Sequence, residues 1–156
     1  MKTNWKALIW SISIPLLVGG LSAFLTMDSM QSFDLITKPP LSPPAWLFPV
    51  VWSILFVLMG IASYLVYTSN APKEQKNRAL TVYAVQLAVN FFWSIIFFNL
   101  EAYLFAFLWL VLLWVLIVFT IVLFWQIRRS AGILLIPYLL WVTFAGYLNY
   151  AIYLLN

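Results

Sequence analysis

Cysteine and histidine are both absent from the 156 residues. The first absence removes disulfides and thiol nucleophiles, and the second removes imidazole bases. Together they remove the commonest ligands for zinc and haem iron. Charge is scarce too: charged residues make up 8% of the chain, against about 25% in a soluble domain. The four acids, Asp28, Asp34, Glu74 and Glu101, fall in loops or at the ends of apolar runs. No run carries a carboxylate, lysine or arginine in its interior, so the groups that proton relays, coupled pumps and voltage sensors need at depth are missing. Nor can a nucleophile–base pair for hydrolysis be assembled there. The net charge of +4 does not point to nucleic acid, because the basic residues stand in short clusters flanking apolar runs, where they read as topology signals. Neither a metal site nor a bound cofactor is expected.

What the chain does have is apolar surface. Hydrophobic residues make up 65% of it, more than a water-soluble chain of this length can hide in one core. A span needs about 20 apolar residues to cross a hydrocarbon core of about 30 Å. Five runs qualify, at about 5–26, 46–68, 79–100, 103–127 and 132–155. The expected fold is an all-α integral membrane protein, a bundle of five transmembrane helices forming one domain over 1–156. The first run shares with a secretory signal its basic start and the small residues Gly20, Ser22 and Ala23. It exceeds the roughly 7–15 apolar residues of a signal core and contains Trp10, so we read it as a span.

Basic residues sort by side. Lys2, Lys6, Lys73, Lys76, Arg78, Arg128 and Arg129 fall on one side and Lys38 alone on the other. By the positive-inside rule the protein is multi-pass in the cell membrane, with the N-terminus cytoplasmic and the C-terminus outside. The proline-rich first loop then lies on the outer face.

Within the spans, amides and aromatics remain. Gln86, Asn90, Trp93 and Phe97 share one helical face of the third span. An amide facing lipid would leave donors unpaired, so this face should point inward. Pro137, Trp141, Ala145, Leu148 and Asn149 form a stripe in the fifth span, and Pro49, Trp52, Phe56 and Gly60 one in the second. Any one stripe is what ordinary helix packing produces. Three stripes, each with a Trp, are also what would line a flat aromatic-walled cavity, a usual kind of small-molecule site in a bundle. Nine Trp, eight Tyr and thirteen Phe favour the cavity, although interfacial belts claim part of that number. Pro15 and Pro137 should bend their helices. Lys38-Pro39-Pro40-Leu41-Ser42-Pro43-Pro44 is stiff and non-helical, either a lid over the open bundle end or a plain spacer. Ala84-x-x-x-Ala88 in the third span permits close helix approach and suggests a homodimer.

Three ordered motifs carry a resemblance. They are Lys38-Pro39-x-x-x-Pro43-Pro44-x-Trp46-x-Phe48-Pro49-x-x-Trp52, Gln86-x-x-x-Asn90-x-x-Trp93-x-x-x-Phe97-Phe98, and Pro137-Tyr138-Leu139-x-Trp141-x-x-Phe144-Ala145-x-x-Leu148-Asn149. In order, over the whole chain, this set resembles a bacterial-type member of the tryptophan-rich sensory protein/translocator protein family (TspO/MBR, the peripheral benzodiazepine receptor family). The resemblance implies a cavity at the first-loop end that binds porphyrins such as protoporphyrin IX, and in many members sterols and benzodiazepine-type ligands. Carried over residue by residue, the ligand-binding set is Phe33, Trp52, Phe56, Asn90, Trp93, Ser94, Trp141, Ala145 and Leu148. Some bacterial members degrade protoporphyrin in light, which implies a photochemical role for Trp52 and Trp141 as electron donors. Leu41 stands where the family usually has Trp, which implies weaker lid contacts. Leu148-x-Tyr150 is followed by no Lys or Arg within five residues, so the C-terminal cholesterol motif is incomplete. The first functional reading is a receptor or sensor for porphyrin or another lipophile. The alternatives are a transporter or facilitator of such molecules and a regulatory protein acting through partners.

Overall fold

The structure, a computed structural model, describes residues 2–156. It contains five helical segments long and apolar enough to cross a membrane, and among the described residues no strand. The protein is a multi-pass membrane protein with an all-α fold. The first segment is α1 (Trp5–Thr26), continued by a 3₁₀ turn (Met27–Ser29) and the short α2 (Met30–Leu35). Then follow α3 (Leu47–Tyr67), α4 (Lys73–Ser94) with a π turn over Ile95–Asn99, and α5 (Tyr103–Ile127). The last segment is α6 (Arg129–Leu134) and α7 (Ile136–Leu155).

The expected boundaries shift in four places. Met27–Leu35, assigned to the first loop from sequence, is helical, held by contacts with the far end of α4. Asn99 donates from Nδ2 to the Leu25 carbonyl at 3.0 Å, Ser29 donates to Asn99 Oδ1, and the Phe33 ring lies 5.9 Å from Phe97 and 5.2 Å from Phe98. α4 starts at Lys73 rather than near 79, because Pro72 sits just before its first turn and Glu74 lies within that turn, where an acid suits the helix dipole. α6 starts at Arg129 rather than at 132. Lastly, Pro137 does not bend a continuous helix: the chain breaks at Leu135, and Pro137 occupies the first turn of α7, where its missing N–H costs little.

Pro15 lies inside α1 without ending it. It has no N–H to offer the carbonyl of Ser11 four residues back, and that carbonyl faces Gly60. A Cβ on Gly60 would lie 2.7 Å from the Ser11 oxygen and 2.5 Å from Ile12 Cα; one on Gly19 would collide with the Phe56 ring. Gly60 therefore lets α3 approach the backbone of α1, and Gly19 makes room on α1 for the Phe56 ring. Gly60 and Phe56, read from sequence as part of a cavity stripe, are spent on this contact. α5 packs on α4, α6 and α7, and α6 on α3. Between α3 and α7 the gap is filled by rings: Phe48 lies 5.9 Å from Trp141, and Trp52 lies 6.2 Å from Tyr138, each pair edge to face.

Candidate functional site

The amide stripe of α4 points inward as expected, with Gln86, Asn90 and Phe97 buried and Trp93 half-buried. Its partner is Tyr138, which the third sequence motif contains but the expected inward stripe of the fifth span left out. Asn90 Nδ2 donates to the Tyr138 hydroxyl at 2.7 Å, and that hydroxyl donates to Gln86 Oε1 at 2.7 Å. All three side chains are buried, so the polar groups of two helices are paired inside the bundle, as the membrane requires. Nearer the first loop, Trp93 Nε1 donates to Asn149 Oδ1 at 3.1 Å, and Asn149 Nδ2 donates to the Tyr103 carbonyl at 2.8 Å. The inward line of α7 is Tyr138, Trp141, Ala145, Leu148, Asn149 and Ile152, whereas Pro137 is exposed.

The π turn explains the position of Phe97 and Phe98. Leu100 N–H bonds to the Ile95 carbonyl at 3.1 Å, one residue farther back than in an α-helix, so the extra residue widens the turn. Phe97 stacks on Trp93 at 5.2 Å, and Phe33 from α2 closes over Phe97 and Phe98.

Beside this cluster lies a cavity of about 220 Å3. Its walls are Phe33, Asp34 and Lys38 from α2 and the loop, Ser42, Pro43 and Ala45 from the proline-rich segment, Phe48 from α3, and Leu148 and Ile152 from α7. Of the nine residues expected at a ligand site, Phe33 and Leu148 line it directly. Trp141 stands one ring behind, through Phe48, and Trp93 stands behind Phe33, through Phe97. Trp52 stacks on Phe56 at 5.6 Å and touches the edge of Tyr138. Ala145 is buried in the core beside Trp141, and Ser94 is half-buried at the end of the regular part of α4. Asn90 is engaged with Tyr138. Sequence reasoning missed Asp34, Lys38, Phe48 and Ile152 as wall residues. The signal for Ile152 was present, since it continues the seven-residue spacing Tyr138, Ala145, Ile152.

The nine tryptophans divide by role. Trp5, Trp10, Trp46, Trp114 and Trp125 are exposed on the bundle surface, and Trp52, Trp93, Trp109 and Trp141 are half-buried. Trp93, Trp109 and Trp114 donate their N–H to Asn149, the Val89 carbonyl and Thr143. Trp141 Nε1 is buried and has no partner, an unspent donor behind the cavity wall.

The proline-rich loop is fastened over the cavity. Thr37 N–H donates to Asn156 Oδ1 at 3.1 Å, Asn156 Nδ2 donates to the Thr37 carbonyl at 2.8 Å, and Tyr147 donates to the Pro40 carbonyl at 2.9 Å. Lys38 Nζ lies 4.9 Å from the centre of the Phe33 ring, a cation–π contact, and donates to the Asp34 carbonyl at 3.3 Å. Leu41, at the loop tip, is exposed with φ 71°, a left-handed conformation costing roughly 1–2 kcal/mol for a side chain with Cβ. Among the described residues no cluster of acidic side chains is placed to hold a metal ion.

This arrangement can be set beside known proteins. Residues 11–155 match the TspO/MBR family. The chain is 40% identical over 135 residues to the tryptophan-rich protein TspO of Chlorobaculum tepidum, covering 86% of this chain and 85% of that one. It is 43% identical over 124 residues to protein CrtK of Rhodobacter capsulatus, covering 80% and 78%. With the translocator protein of Bos taurus it shares 32% identity over 152 residues, covering 96% and 90%. The five spans, the inward amide stripe and these matches over most of its length place the chain in the TspO/MBR family.

Proposed function

We propose that the protein is a membrane receptor or sensor for porphyrins of the protoporphyrin IX kind, and for other flat lipophiles, bound under the first loop. The observation that carries this reading is the cavity of about 220 Å3 walled by Phe33, Phe48, Leu148 and Ile152, with Lys38 on its rim. A macrocycle offers apolar faces to such rings, and its carboxylate substituents suit an ammonium at the outer edge. Pockets for drug-sized ligands measure about 300–1,000 Å3, so the loop must lift for a tetrapyrrole to enter. Lifting it brings Trp141, one ring deeper, within reach. The test is a titration of tryptophan fluorescence with protoporphyrin IX. Saturable quenching at one ligand per chain, weakened by Lys38→Gln, supports the reading; quenching that never saturates rejects it.

Light-dependent degradation of the porphyrin is the chemical extension of this reading, with Trp52 and Trp141 as electron donors. The place of Trp141 one ring behind the cavity wall, 5.9 Å from Phe48, supports it. Loss of porphyrin absorbance under illumination measures it directly. A facilitator of porphyrin or lipophile passage is the second reading, favoured by spans without interior charge. Flux into liposomes containing the protein separates passage from binding. In either case the N-terminus is cytoplasmic and the C-terminus outside in the cell membrane, and the protein is a homodimer joined through α4, where Ala84 and Ala88 are both exposed on the surface of the bundle.

A further inference from the structure

A second concavity opens at the opposite end of the bundle, where the basic residues gather. It is a groove of about 390 Å3 along the seam of α1 and α3, bounded by Lys6, Trp10 and Ile14 on one side and Tyr67 on the other, over a floor of Ala7 and Ser11. Lys6, Trp10 and Ile14 follow one another at four-residue spacing and form a single ridge. Trp10 is 61% and Ile14 48% exposed, so none of the described residues covers this ridge. Asn4 marks its outer rim. From Asn4 to Ile14 a helix rises about 15 Å, half of a hydrocarbon core of about 30 Å. The groove therefore has the depth of one leaflet.

Its chemistry changes along that depth. Trp10 and Ile14 make the inner part apolar, and the outer part is cationic. Lys6 is on one side of the rim, and on the other Lys76 is held at the end of α3, donating to the carbonyls of the groove residue Tyr67 and of Ser69 at 3.0 Å each. The whole end carries Lys2, Lys6, Lys73, Lys76, Arg78, Arg128 and Arg129 against the single acid Glu74. We propose that this groove binds an anionic phospholipid, one acyl chain along Trp10 and Ile14 and the phosphate at the rim beside Lys6, with Lys76, bound to the Tyr67 carbonyl, as the second cation of that end. A second copy of this chain fits less well, because both sides of that contact would bring the same cations together. The small-residue face of α4 offers a copy a neutral alternative.

Native mass spectrometry of the full chain, released from detergent with phosphatidylglycerol and phosphatidylcholine of identical acyl chains, tests the proposal. One phosphatidylglycerol should be retained per chain, in preference to phosphatidylcholine. Lys6→Gln and Lys76→Gln should each weaken that preference about fivefold, the effect of one surface cation on an anionic lipid. Arg129→Gln, at the same end but lying over Trp125, should change it by less than about twofold if the contact is local. Ala7→Phe fills the floor without altering charge and should abolish retention. Equal retention of the two lipids overturns the proposal. So does a loss in Arg129→Gln as large as in Lys6→Gln, which means a diffuse field. A change of oligomeric state in Trp10→Ala with lipid retention unchanged assigns the groove to a second copy. Should Ala7→Phe fail to fold, the three Gln variants still decide between site and field.

Discussion

Replacing Tyr138 with Phe deletes one oxygen atom and strands two buried amides. The hydroxyl accepts from Asn90 and donates to Gln86, each at 2.7 Å, and the three side chains are 1–6% exposed. Gln86 keeps only a weak contact from Nε2 to Met59 Sδ at 4.0 Å, and both amides are buried. In soluble cores an unsatisfied buried group costs about 1–3 kcal/mol. Inside membranes a hydrogen bond averages about 0.6 kcal/mol, because the unfolded chain also finds partners in the bilayer. Two bonds then bracket the loss between about 1 and 6 kcal/mol. The membrane figure deserves more weight, since the reference state here is a bilayer or micelle, so we expect about 1–3 kcal/mol in an SDS or thermal unfolding series in mild detergent. The ring remains in the Phe variant, so packing against Trp52 is unchanged and the loss is polar in origin. Adding Gln86→Leu and Asn90→Leu to Tyr138→Phe should recover most of the stability, since replacing all partners by apolar groups is nearly neutral. A Tyr138→Phe protein within about 0.5 kcal/mol of the parent would refute the reasoning, and so would a triple variant less stable than the single one.

Four further outcomes are expected. A cysteine at Ser32 should be labelled by an impermeant thiol reagent in intact cells, and one at Ser130 should be shielded; both positions are exposed on the protein, and the reverse pattern would invert the topology. Ala84→Leu with Ala88→Leu should give monomers in detergent by light scattering, and an unchanged dimer would move the interface off α4. Trp52→Phe and Trp141→Phe should each hold porphyrin within about tenfold of the parent, or roughly 1.4 kcal/mol, while light-driven loss of porphyrin falls sharply; an unchanged rate would remove indole from the chemistry. Gly60→Ala should cost about 1–3 kcal/mol by wedging α1 from α3, whereas Gly20→Ala, with nothing within 4 Å of its added methyl group, should be neutral or stabilising by up to about 1 kcal/mol in a thermal series.

The spans were legible because each apolar run is longer than any soluble core needs. The inward face of α4 was legible because Gln86 and Asn90 cannot face lipid. The partner of those amides was not. Tyr138 comes 48 residues after Asn90, and nothing local to α7 distinguishes a tyrosine that pairs with α4 from one exposed on the bundle surface, as Tyr150 and Tyr153 are near its end. Pro137 drew attention to the wrong edge of the stripe, one residue from the buried one. Met27–Leu35 has no helical periodicity of its own and is ordered by Asn99 and by Phe97 and Phe98, so only tertiary contact reveals it. The Phe56–Gly60 pair obeyed the inward rule for another reason: it packs against α1. Inward-facing is a statement about lipid, and it does not distinguish a wall from a contact.

The clasp between the first loop and α7 sets the fraction of time the cavity is open. Thr37 and Asn156 exchange two hydrogen bonds and Tyr147 and Pro40 share a third. At about 0.5–1.5 kcal/mol net for each bond, a lifted loop lies about 1.5–4.5 kcal/mol above the closed one. That corresponds to roughly one chain in ten down to one in two thousand being open at any moment. A ligand that enters only the open form loses apparent affinity by the same factor, and its association slows in proportion. Under the proposed function, ligand exchange would be timed at Asn156 and Tyr147, two side chains outside the cavity wall, and a protein that has lost the clasp would respond faster to the same ligand while binding it more tightly.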